Sequence, residues 1–259
     1  MPGALIFGLM TQTFNFHFAQ NLKKLRPFLG SWILYVIALA VLLFSMGYYD
    51  SFLFLNAFRN SFLDTFMPHF THVGEGVTVA MVFAFLIFNK DRALVNTLIV
   101  ALVILGILLW TLKQFVFVGW NRPPKIFENL TDIYYISLGG EKYKSFPSGH
   151  SSAVWMMMSF IAFYLRDRKI AWQILAALVA ITVAYSRVYI GVHFPADILA
   201  GSFIGVGLAF LSFSFHYPRM QKREREGKLN LGYRRYILQG FMVFLLVGSL
   251  IRMYQDYYL

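Results

Sequence analysis

Apolar residues along this chain come in blocks. Runs at 31–49, 76–89, 93–112, 150–165, 170–186, 196–216 and 236–254 are separated by short polar stretches. A helix that crosses a bilayer needs roughly 20 mostly apolar residues. Most of the runs supply that, and those at 76–89 and 150–165 fall short. Soluble domains instead spread their apolar residues in periodic patterns. The blocks predict an all-α, polytopic membrane bundle with up to seven spans in one helical domain.

Composition agrees with this reading. Hydrophobic residues make up 58% of the 259 residues and charged ones 14%, against about 25% charged in soluble domains. With no cysteine, neither a disulfide framework nor a thiolate metal site is available. The first 29 residues read as an interfacial or cytoplasmic segment. Phe7, Phe14, Phe16 and Phe18 precede Lys23, Lys24 and Arg26, which suits a membrane surface. Because the basic residues follow the apolar part, the segment does not resemble a cleavable signal.

A net charge of +11 raises nucleic acid as a partner, but the charges sort as a membrane protein's do. Alternate segments, those before 31, at 90–92, at 166–169 and at 217–235, hold 15 of the 23 Lys and Arg. Basic loops mark the cytoplasmic side, so the N-terminus is expected inside and no nucleic acid is expected as partner. Residues 217–259 then read as a basic cytoplasmic loop followed by a hydrophobic helix.

The other face carries fewer basic residues, but some ionisable ones stand in unusual places. Lys113 ends the third run, His150 opens the fourth, Arg187 closes the fifth, and His193 and Asp197 open the sixth, with Arg122 in the loop "WNRPP". Ionisable groups at membrane depth are costly and mark function. Lys113, Arg122 and Arg187 supply three cations. "PSGHS" (147–151) supplies hydroxyls and backbone N–H groups at a helix N-terminus, which attracts anions. Together these describe a phosphate cradle. The histidines add nucleophile and proton-transfer capacity. His193 and Asp197 stand i, i+4, so the carboxylate is expected to orient one imidazole nitrogen and leave the other to attack. No carboxylate cluster suited to Mg²⁺ is present. The residues therefore predict phosphoryl transfer through a phosphohistidine, with no metal and no cofactor.

"PSGH" (147–150) followed by "SRVYIGVHFPAD" (186–197) resembles the second and third motifs of the type 2 phosphatidic acid phosphatase superfamily. The resemblance spans roughly residues 60–216. It implies a six-helix core within 30–216, with the seventh run an addition. His193 resembles that family's nucleophile, Asp197 its orienting partner and His150 its general acid. Lys113, Arg122, Ser148, Gly149 and Arg187 match its phosphate-binding set. The family's first motif is Lys, six residues, Arg-Pro, whereas here eight residues separate Lys113 from Arg122. Two extra residues must be absorbed after the third span, where Gly119 is available.

The implied activity is dephosphorylation of a lipid held in the bilayer. Candidates are undecaprenyl diphosphate, phosphatidylglycerophosphate, phosphatidic acid and lipid A phosphates. The charge asymmetry puts the site on the outer face, and length and composition suit a bacterial inner membrane. A phosphotransferase passing the phosphate to another acceptor shares this chemistry. A transporter or scaffold fits less well, because the sequence shows no internal repeat and no ionisable residues at mid-membrane. Elsewhere, "MPHFTHVGEG" holds His69, His72 and Glu75. A metal site there is set against a solvated turn, and Gly74 and Gly76 are expected to turn the chain into the second span. Gly201, Gly205 and Gly207 predict close helix packing. Tyr134, Tyr135 and Tyr143 read as interfacial aromatics.

Overall fold

The computed structural model describes residues 18–128, 133–135 and 143–228, and single positions at 240, 243 and 247. Phe7, Phe14 and Phe16, and all but those three positions of the expected span at 236–254, lie outside the described residues.

Among the described residues every regular element is helical. Helix α1 is Arg26–Asn56, α2 Ser61–Phe70, α3 Gly76–Ile87, α4 Arg92–Thr111, and α5 the short turn Pro123–Ile126. Then come α6 Gly149–Tyr164, α7 Ile170–Tyr189, α8 Pro195–Leu211 and α9 Tyr217–Arg225. Helices α1, α4, α7 and the run from α8 into α9 are long and apolar enough to cross a membrane. Helices α2 and α3, bent by 63° at their junction, together pass the same test. The first span outruns the expected 31–49 because α1 continues beyond Gly47, whose φ of 81° interrupts it.

Helix α6 has 16 residues, about 24 Å at 1.5 Å per residue and less than the roughly 30 Å of bilayer hydrocarbon. Its length is tolerated because protein surrounds it. Ser151, Ser152, Val154 through Phe160, Ala162 and Phe163 are all buried, so α6 is the axis of the bundle and lipid does not set its length. Helix α8 approaches it through small residues. A Cβ at Gly201 would lie 2.8 Å from the Ser148 carbonyl, and one at Gly205 would lie 2.8 Å from the Met156 nitrogen and collide with the Ser152 carbonyl. Gly207 faces open space, so the small-residue seam consists of Gly201 and Gly205 without it. Gly74 and Gly76 are likewise needed for close approach and not for turning. A Cβ at the first would meet Val183 and His150, and one at the second Ala153.

The two ends of the bundle differ in character. At one end Lys24 pairs with Asp167 at 3.5 Å. Gln173 donates to the Lys24 carbonyl, and Tyr217 donates to Asp91 at 2.8 Å. The expected cytoplasmic segments therefore gather at this end. The C-terminus of α4 and α7 and the N-terminus of α6 and α8 gather at the other.

Candidate active site

Local rules place the central pair. Ile190 ends α7, and Gly191 follows at φ +78°, hard against the Tyr134 carbonyl. Only glycine takes that conformation without a steric penalty, and none other fits the space. The backbone N–H groups of Val192 and His193 then both donate to the Arg187 carbonyl, at 3.0 and 3.1 Å. This tight turn delivers His193 directly before α8. Pro195 opens α8, where its missing N–H costs nothing. Asp197 in the first turn accepts the Phe194 N–H at 3.0 Å through Oδ2, a carboxylate stabilised by the helix N-terminus.

That leaves the same oxygen 3.2 Å from His193 Nδ1. His193 is 2% exposed and Asp197 0%. An ionised carboxylate only accepts, so Nδ1 carries the proton and Nε2 presents a lone pair. Ser145 Oγ also donates to Asp197 Oδ2 and lies 3.4 Å from His193 Nδ1. Tyr48 donates from α1 to Asp197 Oδ1 at 3.1 Å.

The "PSGHS" turn docks on this pair. The Ser148 N–H donates to the Asp197 carbonyl at 3.1 Å, and Ser151 Oγ donates to the Ile198 carbonyl at 2.7 Å. Ser148 caps α6 by accepting the Ser151 N–H. Gly149 is the first residue of α6, and His150 follows, packed over Gly74. Arg187 is 5% exposed. One of its terminal nitrogens donates to Thr71 Oγ1 at 2.9 Å, and its buried Nε has no hydrogen-bond partner among the described residues. A buried unsatisfied guanidinium nitrogen is costly and suits an anion.

Arg122 donates its Nε–H to the Tyr143 carbonyl at 3.1 Å. Lys113 stands in a wide π-type turn over Leu112–Val116, where the Phe117 N–H reaches back to the Leu112 carbonyl. That wider turn takes up chain length where the sequence required two extra residues, and Gly119 takes no positive φ. His193 lies in the turn between spans, and its pKa is held well below 6.5. Burial is the main cause, followed by the positive charges of Arg122, Lys113 and Arg187 and the neighbouring His150. All eight residues singled out from the sequence thus surround one end of the bundle.

Three contributors carried little or no sequence signal. Ser145 stands two residues before Pro147 in "KSFPSGH", and that proximity was its only hint. Tyr48 follows the glycine that breaks α1, and Thr71 had no signal at all. The other candidates resolve differently. His69 bonds the Thr65 carbonyl through Nδ1 at 2.7 Å, while His72 Nδ1 meets Glu75 at 3.1 Å. The two histidines are thus tied to separate partners, and the described residues hold no group of three His, Cys, Asp or Glu placed for a metal ion. Tyr134 is structural. Its backbone N–H donates to Asn56 Oδ1 at 3.1 Å, and Arg59 lies 3.9 Å over its ring.

Comparison with known proteins gives the family. The family model described as the PAP2 superfamily matches residues 94–221, a stretch that holds the eight residues and leaves α1 to α3 outside. An undecaprenyl-diphosphatase from Sulfolobus acidocaldarius is 34% identical over 138 residues, covering 53% of this chain and 63% of that protein. The match therefore spans less than two thirds of that relative's length. A lipid A 4′-phosphatase from Bacteroides thetaiotaomicron is 32% identical over 162 residues, covering 59% of this chain and 69% of the relative. The crystal structure of Aquifex aeolicus LpxE superposes with a TM-score of 0.56 at 27% identity, covering 65% of this chain and 95% of that one. The chain belongs to the PAP2 superfamily and is a multi-pass membrane protein.

Proposed function

We propose that this protein removes a phosphate from a membrane lipid phosphomonoester or diphosphate, with His193 as the nucleophile. The observation that carries the reading is the buried His193–Asp197 pair set beside an arginine whose Nε has no partner among the described residues. The substrate phosphate docks against Lys113, Arg122 and Arg187, the Ser148 hydroxyl and the first backbone N–H groups of α6 at Gly149. Its charge offsets that of the cations.

His193 Nε2 attacks phosphorus while the bond from phosphorus to the lipid oxygen breaks. His150 gives a proton to that oxygen, and the lipid alcohol or monophosphate leaves. Asp197 holds Nδ1–H throughout and stabilises the charge that develops on the ring. Water then attacks the phosphohistidine and gives a proton to His150. The P–N bond breaks, releasing inorganic phosphate and restoring His193. The scheme uses no metal.

The names of the relatives support lipid phosphates as the substrate class. The basic segments at the opposite end support a cytoplasmic N-terminus and a site on the outer face of a bacterial inner membrane. Residues 30–216 form the catalytic domain in this reading, and 217–259 a basic cytoplasmic loop and an added helix.

The test is phosphate release by detergent-purified protein with EDTA present. Substrates are undecaprenyl diphosphate, phosphatidylglycerophosphate, phosphatidic acid and lipid A. Release by wild type is expected, with a loss on the order of 10⁴-fold or more in His193→Ala. Transfer to a second lipid without free phosphate identifies a phosphotransferase. Full activity of the variant overturns the assignment of the nucleophile.

A further inference from the structure

We propose that Tyr48 is a positioning residue for this reaction, holding Asp197 and through it His193 from a helix that lies outside the family-matched stretch. The proposal rests on the reading of the His193–Asp197 pair given above. Three donors, His193 Nδ1, Ser145 Oγ and the Phe194 N–H, all meet Asp197 Oδ2. A carboxylate held by one oxygen can still pivot about it. Tyr48 donates to Oδ1 and removes that freedom.

The backbone of α1 is arranged for this contact. Gly47, directly before Tyr48, leaves the helical conformation at φ 81°, ψ −177°, which re-aims the residues that follow. The Tyr48 ring then lies 4.5 Å from Phe194 and 6.1 Å from Trp120. Phe194 adjoins His193 in sequence, so the same tyrosine touches Asp197 and the residue next to His193. Its ring also walls a cavity of about 340 Å³ shared with Tyr49, Trp120, Ile126 and Phe194. The contact belongs to a set of three tyrosine–aspartate hydrogen bonds among the described residues. The other two, Tyr189 to Asp64 and Tyr217 to Asp91, do not touch the pair.

Tyr217 therefore provides the control. Tyr48→Phe keeps the ring and deletes only the hydroxyl. It is expected to lower kcat about ten- to thirtyfold, the scale of one hydrogen bond to a charged group, with KM within twofold. Tyr217→Phe removes a matching bond at the far end and is expected to leave both constants within twofold.

A second measurement needs no turnover. In protein labelled with ¹⁵N-histidine, the His193 Nδ1–H resonance is assigned by its loss in His193→Ala. It should move in Tyr48→Phe and stay in place in Tyr217→Phe. An unmoved resonance overturns the proposal, whether kcat is unchanged or falls only with the folded fraction and Tm. Should wild type release phosphate from no lipid, the proposed function fails, and the resonance still decides the role of Tyr48.

Discussion

Each end of the bundle contains a histidine, an aspartate and a tyrosine, and the two groups are used in opposite ways. At the far end Asp91 caps α4 by accepting the Leu94 N–H at 2.8 Å and also takes the Tyr217 hydroxyl. His216 bonds Thr97 at 3.2 Å. Each of these groups finds its partner in neighbouring structure and joins two helices. At the near end four donors converge on the buried Asp197, and a buried arginine nitrogen is left without a partner among the described residues. The composition is alike, and the difference lies in what is left over: among the described residues the far end leaves the neutral Gln173 Oε1 and Ser214 Oγ without a partner, and the near end leaves a charged guanidinium nitrogen. Most buried polar groups are satisfied within a fold, and a charged donor left over is the costliest exception, one that a bound anion would relieve.

The largest test exchanges the two carboxylates for amides. Asp197→Asn is expected to lower kcat by about 10²- to 10⁴-fold, because an amide can hold the wrong imidazole tautomer. Asp91→Asn keeps a cap acceptor, since Asn caps about as well as Asp, but loses the oxygen that takes the Tyr217 hydroxyl; it should cost about 1 kcal/mol of stability and leave kcat within twofold. Phosphate release and thermal melts in detergent read both.

Next in size is Arg187→Lys. A lysine keeps the charge but loses the planar fork, so kcat/KM should fall about ten- to a hundredfold with little change in Tm. An unchanged kcat/KM would mean that the unpartnered nitrogen does not face the phosphate.

The pH profile sharpens the contrast further. Burial and nearby positive charge push the His193 pKa well below 6.5. A lowered pKa means the ring is already neutral, and able to attack, at pH 6.5. Corrected for substrate ionisation, kcat/KM should therefore hold steady as pH falls through 6.5 and decline only further down. A half-maximal point at 6.5 would indicate a solvated imidazole. The stability term has the matching sign. The unfolded chain binds the proton first, so stability is lost as pH drops below about 6.5.

The smallest effect concerns packing. Gly205→Ala places a methyl group against the Ser152 carbonyl and should cost about 1–3 kcal/mol by overpacking. Gly207→Ala points into open space and should be close to neutral. Melting temperatures of the two variants compare them directly.

Much of the site was legible because its key relations are local. His193 and Asp197 stand four residues apart on one helical turn, and Ser148, Gly149 and His150 are consecutive at a helix start. Six of the seven apolar runs fall on described helices, and they were legible for a similar reason, since the length of an apolar run reports burial in lipid. Where lipid is not the surrounding medium, that rule lapsed. The central α6 is shorter than a span, and α2 and α3 make one span only as a bent pair. The glycines of the small-residue seam were identifiable as a group, yet only packing separated Gly201 and Gly205 from Gly207.

By itself the sequence determined the class of protein, the order of its described spans, the His193–Asp197 pair proposed here as nucleophile and orienting carboxylate, and the cations that suit a phosphate. Tertiary structure decided what holds them in place. Tyr48 reaches Asp197 across 149 residues of chain, Ser145 across 52, and Arg187 meets Thr71 across 116. No local pattern encodes such pairs. They arise when a kink at Gly47, a tight turn at Gly191 and a glycine seam on α8 let helices distant in sequence approach closely enough to share one buried carboxylate.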